Sequence, residues 1–152
     1  MTREEAERLL ALAREATFTG PDARVWLERL APKRSEFIEA ARFLSSNGTE
    51  EAAAELAAGV WRLWLLSGDV AGGRQMLAAA LDIGRHQPSH ARALALYGDG
   101  LLAFRAGAQA ESENRNTQAL EEVRAVGDRD AEALALVGLS RVALRNGDYP
   151  GV

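Results

Sequence analysis

The chain has 152 residues and a net charge of −4, and that length buries ~68–70% of its unfolded surface, so its core needs no metal or cross-link. Cys is absent, which excludes disulfides and thiol chemistry and fits a reducing compartment. Seventeen of the eighteen basic residues are Arg, with Lys33 the exception, and they are scattered rather than gathered into a stripe, which speaks against direct nucleic-acid binding.

The N-terminus, MTREEAERLL, is too acidic for a secretory leader. Thr2 followed by Glu5 is a capping box and starts a helix with an apolar face of Ala6, Leu9, Leu10, Leu12, Ala13 and Ala16. Gly20-Pro21 ends it, and Asp22 is placed to cap the next segment, which carries Val25, Trp26, Leu27 and Leu30. Pro32 interrupts that segment. Helix resumes near Lys33 and runs to about Ser46, burying Phe37, Ile38, Ala41, Phe43 and Leu44. Asn47-Gly48 closes it in left-handed geometry, and Thr49 caps the next helix.

That helix, EEAAAELAAGVWRLWLLS at 50–67, is apolar or small at nearly every position from Ala52 to Leu66. Only Glu55 and Arg62 interrupt it, seven residues apart and so on one narrow stripe. A helix apolar almost all round is covered on several sides, and Trp61 and Trp64, like Trp26, read as core. The run 52–66 falls short of the ~20 residues that span a bilayer. The chain therefore reads as cytoplasmic, with no membrane partner.

Gly68 ends the central helix and Asp69 caps the next, which packs through Val70, Met76, Leu77, Ala80, Leu81 and Ile83. A linker over 85–89 follows, with Ser89 as cap. Helices over 90–106, 109–126 and 130–146 stop at Gly107, Gly127 and Gly147. About eight helical segments result, and no alternating runs argue for strands.

A repeat lies in this punctuation. Gly68, Gly107 and Gly147 each close a helix, at intervals of 39 and 40 residues. Small residues recur at Gly73 and Ser112, and at Gly100 and Ser140, where helices can approach closely; Ala-Leu recurs at 80–81 and 119–120. Such a period marks stacked helix pairs. The spacing resembles a long variant of the tetratricopeptide repeat over roughly 50–152, with Asn116 where that family usually has an aromatic and Asp99 where it usually has Leu. The segments WLERL at 26–30, IEAA at 38–41, LAAGVWRLW at 56–64 and SGDVAGGRQMLAAAL at 67–81 are similar to the helical segment behind the ATPase module of large bacterial LuxR-type and MalT-type transcriptional regulators.

The resemblance implies one all-α domain over 1–152, a right-handed superhelix of antiparallel helix pairs. Residues 1–48 form an irregular cap, and 49–152 hold repeats of which the last is incomplete. It implies a non-catalytic module that senses an effector or binds a protein. The family's groove positions fall on Glu55, Arg62, Leu65 and Leu66, on Tyr97, Leu101, Phe104 and Arg105, and on Arg141 and Arg145. Arginines beside apolar neighbours suit a peptide segment or small effector bearing a carboxylate, because guanidinium grips carboxylate bidentately. The competing reading is a solvated face with Arg stems laid over apolar surface. A second function, an oligomerisation scaffold with an empty groove, stays open. The apolar residues of the last helix, Leu134, Leu136, Val137, Leu139, Val142 and Leu144, lack a partner helix and lead us to expect a homodimer.

Other chemistry finds no residues. His86 and His90 flank Pro88 without a third ligand, so no metal is expected. GDVAGGRQ lacks the Lys and the strand of a phosphate loop, and Gly72 and Gly73 read as packing positions. Glu4, Glu5, Glu7, Glu121 and Glu122 read as solvated. Asp99 faces inward, to be satisfied by a backbone cap or an Arg, or else by a ligand. No nucleophile has a His beside it, so no enzyme and no cofactor are expected.

Overall fold

Helix α4 (Glu50–Ser67) is the element against which the helices Arg3–Glu15, Arg34–Asn47, Val70–Leu81 and His90–Arg105 gather, and its buried side chains include Leu56, Val60, Trp61, Leu63 and Trp64. In this computed structural model the described residues are 1–47, 49–82 and 87–147. They are all-helical apart from turns and caps, with no strand among them. The elements are α1 (Arg3–Glu15), α2 (Ala23–Leu30), a 3-10 turn (Ala31–Lys33), α3 (Arg34–Asn47), α4, α5 (Val70–Leu81), α6 (His90–Arg105), α7 (Gln109–Val126) and α8 (Arg129–Arg145).

The boundaries follow local chemistry. Thr2 Oγ1 accepts from the Glu5 amide at 3.2 Å while the Thr2 amide donates to Glu5 Oε2 at 2.8 Å, closing the capping box of α1. Thr49, Asp69, Ser89 and Asp128 cap α4, α5, α6 and α8 through side-chain oxygens. Gly68 and Gly127 take left-handed conformations at the ends of α4 and α7, which other residues adopt only under strain.

Three expectations are corrected near the N-terminus. Helix α1 ends at Glu15, not at Gly20, because Ala16 is already extended. Asp22 makes no side-chain cap to α2. Trp26 is only half-buried, with the Arg29 guanidinium 5.0 Å from its ring centroid, and Val25 is 65% exposed, since α2 buries only Leu30. The expectations for Gly48, Ile83, His86 and the start of the 85–89 linker lie outside the described residues.

The packing is sequential with one relay. Helix α4 touches α1, α3, α5 and α6, while α6 touches α4, α5, α7 and α8. One apolar core runs through all of these, and a smaller cluster of Ala93, Val123 and Ala131 joins α6, α7 and α8. Small residues set the approach, as expected at Gly73. A β-carbon there would lie 2.7 Å from Trp64 Cβ and 2.7 Å from Leu102 Cδ1. Gly98 faces the Trp61 ring in the same way, and Gly59 abuts the Ala13 backbone, seating α1 on α4. Ser112 Oγ donates to the Gly100 carbonyl at 2.7 Å. Asn116 is buried on α7, with Gly100 and Gly138 making room for its amide. Its amide nitrogen donates to the Ser112 carbonyl at 2.8 Å, and its Oδ1 has no hydrogen-bond partner.

Candidate functional site

The groove positions come from α4, α6 and α8, three helices linked through α6. At the α4 end, Arg62 is half-buried, with its guanidinium 4.4 Å from the Trp61 ring centroid. Burial pushes the Arg62 pKa down, and the nearby Tyr97 pulls the other way. Trp61 meets Tyr97 edge to face, 6.1 Å between centroids and 78° between planes. Tyr97 is buried, and its hydroxyl accepts from Arg141 Nη1 at 3.1 Å. Arg62, Trp61, Tyr97 and Arg141 thus form one chain of cation, ring, phenol and cation across three helices.

The remaining groove positions divide. Glu55 is committed to Arg14 of α1 at 2.7 Å, so α1 covers the face of α4 that holds Glu55 and Gly59. Arg145 donates to the Phe104 carbonyl at 2.5 Å and lies 3.5 Å over the Phe104 ring, tying α8 to the end of α6. Leu66 and Arg105 are exposed, and Leu65, Leu101 and Phe104 are half-buried. Among the described residues, Arg62, Arg105 and Arg141 have no carboxylate partner, whereas Arg74, Arg92 and Arg115 do.

Asp99 is satisfied by arginines, not by an open site. Oδ1 accepts from Arg74 Nε at 3.0 Å and Oδ2 from Arg115 Nε at 2.8 Å. Arg74 also pairs with Glu111 and Arg115 with Asp82, at 2.5 and 2.8 Å. Burial lowers both guanidinium pKa values, but the hydrogen bonds to these carboxylates outweigh it and the net shift is upward. Glu122 is a correction: it is buried, not solvated. It accepts from Arg92 Nε at 2.9 Å and from the Ser89 amide at 3.3 Å, while Arg92 Nη1 donates to the Leu81 carbonyl. The signal in the sequence is positional. Val123 and Ala119 flank Glu122 on the buried side of α7, which places a carboxylate where only a paired one is tolerated.

A side-chain contact at the helix starts adds one more link. His90 Nδ1 meets Asp128 Oδ2, joining the start of α6 to the cap of α8. That hydrogen bond, followed by the Ala131 amide, holds the Asp128 carboxyl below the usual aspartate range. No group of three potential metal ligands occurs among the described residues, and no described helix is long and apolar enough to cross a membrane. Cavities of about 230, 280 and 320 Å³ are lined respectively by Thr49, Gln87 and Arg92, by Arg92, Leu96 and Glu122, and by Leu9, Leu12 and Lys33. Neither Arg62, Tyr97 nor Arg141 borders any of these three.

No family model, no curated protein and no solved structure matches the chain.

Proposed function

We propose that the chain is a non-catalytic interaction module whose α4–α6–α8 face binds an acidic peptide segment. The observation that carries this is the Arg62–Trp61–Tyr97–Arg141 chain. Two guanidiniums flank one phenol, and neither has a carboxylate among the described residues. A partly desolvated cation without a counter-ion gains most from an incoming carboxylate, and Arg supplies a planar fork for it. Exposed Leu66 and half-buried Leu101 and Phe104 add apolar contact alongside. An extended peptide suits this face because Leu66 on α4 and Leu101 and Phe104 on α6 spread the apolar contact along two helices.

The wider reading is a right-handed superhelix of antiparallel helix pairs, tetratricopeptide-like, serving a bacterial transcriptional regulator. Its support is the 39- and 40-residue spacing of Gly68, Gly107 and Gly147, the α4–α6–α8 relay, and the resemblance of the segments at 26–81. Finding an ATPase module or a helix-turn-helix encoded in the same reading frame would support the regulator role.

The test is a titration of the full chain with synthetic peptides of equal length that carry acidic, neutral or basic side chains beside Leu and Phe. The acidic peptides bind, more weakly at high salt, and Arg62→Gln and Arg141→Gln each weaken binding by about tenfold or more. Arg42→Gln, on the exposed surface of α3, leaves binding unchanged. Binding of acidic and neutral peptides with equal affinity, or acidic binding indifferent to Arg62 and Arg141, overturns the assignment.

A further inference from the structure

Helix α8 carries three large apolar side chains left in solvent. Leu136, Val137 and Leu144 are 43, 47 and 56% exposed. Ala133 and Ser140 lie exposed between them. At 3.6 residues per turn, 133, 137, 140 and 144 make one stripe, with Leu136 beside it. The opposite side of α8 is spent on the fold, through buried Ala131, Ala135, Gly138 and Val142. Ser140 Oγ donates to the Leu136 carbonyl at 2.9 Å, so its hydroxyl is satisfied within the helix and needs no outside partner.

Along one edge of this stripe the charges are opposite. Asp130 is exposed at the head of that edge and Arg141 lies near its foot by helical position, while Arg129 lies exposed at the head of the other edge. Arg141 uses one donor on Tyr97, and a guanidinium has five.

We propose that α8 is a self-association surface, on which a second copy of this chain lays its own α8 antiparallel. Val137 and Leu136 meet at the centre, and Asp130 of each copy pairs with Arg141 of the other. A two-fold interface must be complementary to itself. A two-fold axis across the helices keeps each edge on its own side and reverses its direction. The acid at the head of one stripe then meets the base at the foot of the other, twice. A parallel two-fold pairing instead carries each edge to the opposite side, so Asp130 and Arg141 lose each other as partners. Antiparallel helices also align their macrodipoles favourably. Ala133 and Ser140 let the two backbones approach closely. The apolar stripe of α8 stands apart from the peptide reading, whereas Arg141 belongs to both; Val137→Lys and Asp130→Arg test self-association without touching Arg62 or Arg141.

Sedimentation equilibrium of the full chain, from low micromolar to millimolar, tests it. The expected species is a dimer of twice the 16.4 kDa chain mass, in equilibrium with monomer. Val137→Lys and Asp130→Arg each raise the dimer dissociation constant by about tenfold or more, with far-UV circular dichroism unchanged because both positions are exposed. Combining Asp130→Arg with Arg141→Asp restores association, because the exchanged charges again meet as opposites. A strict monomer at millimolar concentration overturns the proposal, as does a dimer indifferent to Val137→Lys. A folded double variant that fails to regain association overturns the antiparallel register.

Discussion

Asp99 and Arg115 are joined at 2.8 Å inside the α6–α7 contact, and the same carboxylate holds Arg74 of α5 through its other oxygen. One buried side chain therefore fixes three helices at once. The side chain of Asp99 is 2% exposed, against 14% for Arg115 and 27% for Arg74. Removing one member of a buried pair is costly because the other charge stays desolvated.

Asp99→Ala should therefore destabilise the chain by about 3 kcal/mol, the low end of the range for broken buried pairs. The low end applies because Arg74 and Arg115 keep Glu111 and Asp82. Asp99→Asn should cost less, since the amide oxygen still accepts one guanidinium hydrogen bond. Urea unfolding at constant m-value reads both. Equal midpoints for wild type and Asp99→Ala would show that the network contributes nothing.

Gly98→Ala sets two effects against each other. Alanine is favoured over glycine in a helix by ~1 kcal/mol. The new methyl would lie 2.6 Å from Trp61 Cδ2 and 2.7 Å from its Cγ, and this ring is buried and rigid. Overpacking of that kind costs ~1–3 kcal/mol, so the net change is destabilising. Trp61 also carries Arg62 and touches Tyr97, so its fluorescence should shift with the same substitution. A stabilised variant with an unchanged emission maximum would mean that α4 and α6 are less closely packed than described.

Trp64 separates packing from hydrogen bonding. It is fully buried, and its indole Nε1 has no hydrogen-bond partner. Trp64→Ala should cost ~3–5 kcal/mol through the cavity it leaves. Trp64→Phe should cost far less, because the ring contact is largely kept and the N–H that disappears was unsatisfied. If the two variants melt together, the indole N–H is paired in solution.

These cases show which layers were legible in the residues. The capping box at Thr2 and the caps Thr49, Asp69 and Ser89 are local chemistry, and the sequence spells them out. The burial of Trp61 and Trp64 follows from apolar neighbours all round one helix. Trp26 escaped because α2 is short and its burial depends on what lies over it, which periodicity does not encode. The pairing of Glu122 with Arg92 was hidden for a related reason. A charge on a mostly polar helix reads as surface until its partner, thirty residues earlier, is brought against it. Within the groove set, the cover of α1 over Glu55 came from Arg14, a residue in a different element with no spacing to announce it.

The contact of His90 with Asp128 carries a pH dependence whose sign is fixed by the direction of the shift. The Asp128 carboxyl lies below its ordinary range, first through His90 and then through the Ala131 amide at the α8 cap. A depressed folded-state pKa means that the ionised form is favoured by folding. That contribution is fully present above the ordinary aspartate pKa and is lost as pH falls through the folded value. Asp128→Asn isolates the charge, because asparagine caps a helix about as well as aspartate. The variant should be less stable than wild type at neutral pH, and the two unfolding midpoints should converge as pH falls through the acid limb. His90 is well exposed and Asp128 partly so, and salt should shrink the difference. Equal midpoints for the two chains at neutral pH would place the role of Asp128 in its cap alone, with the His90 contact contributing nothing.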